Sequence, residues 1–318
     1  MYTLAHLSDP HLAPLPAAAP RMLAGKRVLG YLSWNLRRRR VHVSPVLERL
    51  TEDLKAQSAD HIAVTGDITN ISLPAEFEQA AAWLSRLGPA EQVSVIPGNH
   101  DAYVGLPWEV SLGKWAEFMA GERALQPASG GDDRAEERPA QGAEDFPYLR
   151  RRGPLAIVGT SSACPTPPFS AAGALGDEQL ARTESLLRRL GDEGLCRVVL
   201  IHHPPLPGTA SRRKQLRDSQ KFRDVLARTG AELVLHGHTH LSTLAHVAGP
   251  QNVKIPVVGV AAASAGRDFK GKGLAEYALY RIERTAERRW HMDAEVRAIA
   301  PDFRQFQVKS RFSLEVPQ

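Results

Sequence analysis

Thiols are almost absent. Cys164 and Cys196 are the two cysteines among 318 residues, and neither belongs to a metal-thiolate motif. A disulfide framework is therefore not expected, and a reducing compartment fits. Also missing is any segment apolar and long enough to span a bilayer. The N-terminal MYTLAHLSDPHL has no basic stretch leading into a long apolar one. These absences lead us to expect a cytoplasmic protein, soluble or peripheral at the inner membrane face. Aromatic residues make up only 6%, and no extended surface of interleaved basic and aromatic side chains, as a nucleic-acid groove requires, can be traced. Strong charge imbalance is lacking as well. A net charge of +5 and a pI near 9.3 favour anionic partners (phosphates, nucleotides or lipid headgroups) without choosing among them.

What is present is a globular composition, 43% hydrophobic and 24% charged, and a recurring motif. The chain is organised around Val93–Asp101, VSVIPGNHD. A β-branched apolar run ends at Pro97-Gly98 and delivers Asn99, His100 and Asp101 in succession, as where a buried strand meets a catalytic loop. Asn99 offers a carbonyl oxygen to a cation, His100 can exchange a proton, and Asp101 can orient that imidazole. The same arrangement recurs in LAHLSDPH at Leu4–His11, HIAVTGD at His61–Asp67, VVLIH at Val198–His202 and LVLHGHTH at Leu233–His240. Five strand ends carrying ligand-type residues imply one site.

Within these segments Asp9 and His11 share one side of an extended stretch and can face one cation. Asp67 is placed to bridge two cations with its two oxygens. His202, first after its strand, is the expected ligand, with His203 behind it. In HGHTH the glycine permits a tight turn, so that His238 and His240 can approach different cations. Asn70, His203 and Arg150 are candidates for the substrate side, Arg150 because it begins a triplet of arginines.

Strand-and-helix alternation argues for α/β layering. Ser44-Pro45 reads as the start of a helix, Pro74–Leu87 as a helix stopped by Gly88, and Glu178–Leu190 and Asp218–Thr229 as two more. Ile255–Val260, Glu276–Ile282 and Arg289–Ile299 read as a second sheet. We expect one domain over residues 1–300, with insertions at 13–43 and 103–153 and a C-terminal tail at 301–318. The first insertion places Val28, Leu29, Leu32 and Leu36 at helical spacing and ends in Arg37–Arg40. This reads either as a lid helix or, over residues 22–40, as an interfacial helix meeting an anionic membrane surface. In the second insertion Leu106–Phe118 suggests a short helix and Gln126–Asp145 a mobile loop.

Taken in order, DxH, GD, GNHD, H and GHTH resemble the calcineurin-like metallophosphoesterase family over Asp9–His240. GNHD, HHPP and GHTH look most like its class III cyclic-nucleotide phosphodiesterase branch. The resemblance implies a four-layer α/β/β/α sandwich of two mixed sheets, the metallo-dependent phosphatase fold. It also implies two divalent or trivalent metal ions, Mn, Fe or Zn: Asp9, His11, Asp67 and His240 around one, and Asp67, Asn99, His202 and His238 around the other. Hydrolysis of a small or nucleotide phosphodiester by a metal-bridging hydroxide would follow, with His100 stabilising the developing charge or protonating the leaving oxygen and Asp101 orienting it. The alternatives are a peripheral pyrophosphatase on a lipid-linked nucleotide, similar to UDP-2,3-diacylglucosamine hydrolases, and a non-catalytic metal-binding scaffold. The lipid-linked branch typically has arginine where this chain has His100. An oligomer is compatible with the sequence.

Overall fold

The computed structural model describes residues 1–122, 137–286 and 289–316. Residues 126–136 of the expected loop lie outside that range. Two six-stranded mixed sheets pack face to face. The first is ordered β12-β11-β10-β1-β2-β3, built from β1 (Tyr2–Leu7), β2 (His61–Val64), β3 (Val93–Val95), β10 (Glu276–Arg284), β11 (Trp290–Ile299) and β12 (Phe306–Val316). The second is ordered β4-β5-β6-β7-β9-β8, from β4 (Tyr148–Arg152), β5 (Leu155–Gly159), β6 (Cys196–Leu200), β7 (Leu233–His236), β8 (Thr243–Ala248) and β9 (Lys254–Gly259).

The parallel strands β1, β2, β3 and β5, β6, β7 are short, mainly apolar and almost wholly buried, as expected of strands covered on both faces. Helices α2 (Ser44–Ala56) and α3 (Pro74–Leu87) cover the first sheet with Leu47, Leu50, Leu54, Phe77 and Leu84. Helices α4 (Asp177–Asp192) and α5 (Ser219–Thr229) cover the second with Leu186, Leu187, Leu190, Phe222 and Leu226. The layering is α/β/β/α, and the parallel strands of both sheets open onto one edge, where the ligand-bearing loops meet.

Three expectations need correction. Residues 301–318 are not a tail, since Phe306–Val316 is an eleven-residue strand paired antiparallel with β11. Phe306, Val308, Phe312, Leu314 and Val316 alternate along it, but Ser310 interrupts the series and much of this edge strand is exposed, which weakens the period-two signal. The three late strands do not form a separate sheet: Lys254–Gly259 pairs with β7 and β8, whereas β10 and β11 extend the sheet of β1. The insertion at 103–153 ends inside the core, because Tyr148–Arg152 is the edge strand beside β5. The Ser44 hydroxyl, moreover, donates to the Ala13 carbonyl, so it does not cap its own helix.

The first insertion forms α1 (Lys26–Leu36) and a 3-10 turn at Arg38–Arg40. Gly30 lets this helix approach the body, since a Cβ there would press on Ile71 and the Tyr103 ring. Trp34 stacks on His42 with ring centroids 6.4 Å apart and planes 9° apart. Lys26 Nζ donates to Thr166 Oγ1 at 2.8 Å, and Arg27 Nη2 to the Ser72 carbonyl at 2.5 Å.

Candidate metal centre

Each ligand-type side chain leaves the end of a strand on a loop whose backbone turns at once. Asp9, His11, Asp67, His238 and His240 all have positive φ, between 38° and 68°. The loops interlock through main-chain bonds: Asp9 N–H donates to Gly66 O, His11 N–H to Asp67 O, and Gly237 N–H to His202 O. Gly98 and Gly237 are required by close approach. A Cβ on Gly98 would meet Asp67 Oδ1 and the His202 ring, and one on Gly237 would meet Ser8 Oγ and Asp9 Oδ2.

Asp67 is central and 2% exposed. Its Oδ2 lies 3.4 Å from His202 Nε2 and 3.8 Å from His11 Nε2, while Oδ1 accepts the His100 amide at 2.7 Å. On one side of it, Asp9 Oδ1 is 3.2 Å from His240 Nε2 and 3.9 Å from His11 Nε2. On the other, Asn99 Oδ1 is 2.7 Å from His238 Nδ1 and 3.3 Å from His202 Nε2. Carbonyls set the imidazoles from behind: His11 Nδ1 faces Thr69 O at 3.2 Å and His202 Nδ1 faces Thr65 O at 2.6 Å. A proton on His202 Nδ1 leaves its Nε2 lone pair directed into the centre.

The structure thus gathers Asp9, His11, Asp67, Asn99, His202, His238 and His240. Asp9 Oδ1 and His238 Nε2 are buried without a hydrogen bond among the described residues. Two unpartnered buried ligand atoms are costly unless a cation takes them. With Asp9, Asp67 and His202 forming one group and His11, Asp67 and His100 another, the residues fit a pair of hard or borderline ions sharing Asp67. The electrostatics agree. Burial pushes the Asp9 carboxyl up, but the imidazoles of His240 and His202 outweigh it and hold Asp9 below the usual range. Burial likewise opposes a charge on His202, but Asp67 and Asp9 overcome it and raise the imidazole to about 9.

His100 lines the cavity, stacked on Tyr103 with centroids 5.5 Å apart and planes 7° apart. Its Nδ1 faces the Asn70 carbonyl at 2.5 Å, which leaves Nε2 available. Burial, then Arg38, lowers its pKa to about 3.

Asp101 does not orient His100, contrary to the sequence reading. Its carboxylate accepts the amides of Asp67, Thr69 and Gly98 at 2.8, 2.8 and 2.9 Å and the Thr69 hydroxyl at 3.0 Å. It is a clamp between the GD and GNHD loops, and burial with the nearby Asp67 raises its pKa to about 7. Orientation of His100 falls instead to Asn70, through its carbonyl. The Asn70 side chain donates to Leu12 O at 2.8 Å, away from any substrate. His203 is held by Ser162 Oγ at 2.8 Å and packs on His238 with centroids 4.4 Å apart, a support for the ligand ring.

Arg150 is withdrawn as a substrate residue. It is 1% exposed and donates to the carbonyls of Ala120, Ala90, Val93 and Glu117 at 2.5 to 2.7 Å, at the far end of the sheet. Arg150→Met should therefore leave kcat/KM within about 2-fold but cost about 3–5 kcal/mol of stability, read as a shifted urea midpoint, because the buried Val93 carbonyl and three part-buried ones lose their donor. A raised KM with unchanged stability would reverse that assignment.

Two residues escaped sequence reasoning. Arg38 turns inward from the arginine run, with Nη2 2.8 Å from His11 Nδ1 and Nη1 3.3 Å from His100 Nδ1. His42, flanked by two valines and bonded to Ser264 Oγ at 2.9 Å, joins His11 and His240 in a third cluster. Above them lies a cavity of about 580 Å³. Its floor is Asp67, Asn99, His100, His238 and His240; its walls combine Leu29, Val41, Phe169 and Phe269 with Arg37, Arg38, Lys214, Arg267, Lys270 and Lys272.

Two mixed sheets lie between helix layers, and the loops at their strand ends carry this donor set. The chain belongs to the calcineurin-like phosphoesterase family, whose model matches residues 2–242. A probable cyclic nucleotide phosphodiesterase of Rhodococcus erythropolis is 25% identical over 215 residues, 66% of this chain and 61% of that protein. Less than two thirds of that relative is therefore matched. A dimetal phosphatase from Danio rerio superposes with a TM-score of 0.61 at 11% identity, covering 96% of this chain and 98% of its own. A purple acid phosphatase from yellow lupin gives 0.53 at 12%, covering 98% of this chain and 53% of its own. These structural likenesses are of fold.

Proposed function

We propose that the protein hydrolyses a small or nucleotide phosphodiester at a dinuclear metal centre. One observation carries this reading: seven ligand-type side chains, Asp67 at their centre, converge from five strand-end loops beneath a cation-lined cavity. Two Mn, Fe or Zn ions held by these residues would supply Lewis acidity and a coordinated water that ionises near neutral pH. The chain's own groups do the rest. Arg38 presents a planar fork of donors suited to phosphoryl oxygens. His100 Nε2 faces the cavity where a leaving oxygen would need a proton. Lys214, Lys270 and Lys272 draw an anion inward.

The apolar wall of Leu29, Val41, Phe169 and Phe269 accepts a nucleobase, but it equally accepts an acyl chain. It therefore supports a second reading, pyrophosphate cleavage in a lipid-linked nucleotide such as UDP-2,3-diacylglucosamine. Product formation by Mn²⁺-loaded protein on 3′,5′-cyclic AMP and on the detergent-dispersed lipid decides between them. We expect cyclic AMP turnover, with Arg38→Ala lowering kcat/KM about 10- to 100-fold at unchanged metal content, the loss of a charge-assisted bond. Release of UMP from the lipid alone would establish the second reading. Two bound metals with no turnover of either would leave a scaffold.

A further inference from the structure

Helix α1 is turned inside out. Gly30 and Trp34 are its buried positions, and Arg27 reaches the body from the same side. Val28, Leu32 and Leu36, spaced four apart, and Leu29 beside them occupy the opposite face, with exposures of 42, 49, 67 and 37%. A helix whose apolar stripe points into water while its glycine and tryptophan pack inward has an unmatched face. Phe169, 75% exposed, is carried by the loop that Lys26 holds against the start of the same helix. Leu29 and Phe169 both line the cavity over the metal centre, so the apolar face adjoins the cavity wall.

Charge on this side is of one sign. From Pro10 to Leu47 the sequence has seven Lys and Arg residues and no Asp or Glu. Lys26 and Arg27 are spent on the body and Arg38 on the site, whereas Arg21, Arg37, Arg39 and Arg40 are exposed. Across the cavity, Lys214, Arg267, Lys270 and Lys272 continue the positive field. A surface that pairs protruding leucines with cations matches the headgroup and acyl boundary of an anionic bilayer. No helix among the described residues is long and apolar enough to cross a membrane.

We propose that the outer face of α1, with Phe169, docks the protein on anionic phospholipid and sets the mouth of the metal-site cavity against the bilayer. The docking surface stands on these exposures and charges alone; only its service to the cavity rests on the phosphoesterase reading.

The test is co-sedimentation of the full chain with vesicles of phosphatidylcholine alone or with about 30 mol% phosphatidylglycerol at about 0.1 M salt, with hydrolysis of bis(p-nitrophenyl) phosphate followed in parallel. Partition into the anionic vesicles should exceed that into neutral ones by about 10-fold or more. Leu32→Glu with Leu36→Glu should lower it at least about 10-fold, and Arg39→Glu with Arg40→Glu should erase the lipid preference. Because these positions lie outside the cavity, the double variants should keep their activity on the soluble diester. Equal partition into both vesicles, or leucine variants that bind like the parent, would overturn the proposal. So would a parent dimer that Leu36→Glu converts to monomer without any vesicle binding, since a second copy would then cover the face. Hydrolysis without vesicle binding sinks the docking surface alone, and vesicle binding without hydrolysis sinks the enzymatic reading alone.

Discussion

Asp67→Asn is expected to lower phosphodiester turnover by at least about 10³-fold, a loss of about 4 kcal/mol of transition-state stabilisation, and to reduce bound metal from about two ions per chain to about one or none. The asparagine keeps the shape and an Oδ1 acceptor for the His100 amide, so the loop bond survives. What disappears is charge. Among the seven gathered ligand residues only Asp9 and Asp67 are carboxylates, and a single oxygen of Asp67, Oδ2, lies within 4 Å of both His11 Nε2 and His202 Nε2. Removing the charge at the shared position halves the carboxylate charge of the centre and leaves two cations repelling each other across a neutral group. Metal analysis and turnover on the same preparation check this, with circular dichroism to show that the fold persists. Two metals retained with activity within about tenfold of the parent would mean that Asp67 is not the bridge.

The second large effect concerns His100. His100→Ala should lower kcat for an alkyl-leaving diester by about 10²–10³-fold at unchanged metal content, a span typical of a lost proton donor. With p-nitrophenolate, a leaving group stable without a proton, the loss should shrink to about 10-fold or less. The contrast follows from the geometry: the Asn70 carbonyl occupies Nδ1, and Tyr103 and Arg38 fix the ring so that Nε2 is the atom a leaving oxygen can use. Burial and Arg38 keep the free imidazole neutral, so His100 takes up its proton from solvent once an anionic substrate counters the guanidinium. Equal losses for both leaving groups would assign His100 to positioning, and an unchanged kcat would remove it from the reaction.

The ligands were legible in the sequence because chemistry is concentrated where apolar runs stop. LAHLSDPH and LVLHGHTH each place a buried strand and its charged end within a few residues, and no packing requirement explains so many histidines at strand ends. Fold class followed from the same runs. Elsewhere the pattern ran out for identifiable reasons. Four consecutive arginines look alike, and only the 3-10 turn at Arg38–Arg40 decides that Arg38 faces His11. Asp101 stands next to His100 in sequence, yet a tight turn sends its carboxylate back to the amides of Gly98, Asp67 and Thr69. The stripe on α1 announces an amphipathic helix, but amphipathicity does not state which face meets the body. Gly30 gives that answer, since it alone allows the close approach to Ile71 and Tyr103. In β4 the arginine triplet hides a strand, because a fully buried guanidinium is rare unless carbonyls surround it.

The left-handed backbone at Asp9, His11, Asp67, His238 and His240 sets stability against chemistry. Such conformations cost non-glycine residues about 1 kcal/mol or more each, so five together approach the whole net stability of a small domain, about 5–15 kcal/mol. Glycine would relax every one of them. A lineage selected only to stay folded would drift toward glycine at these five places and grow sturdier while losing its ligands one by one. Asp and His at these five places burden the fold alone, and the proposed metal centre is what gives them a use.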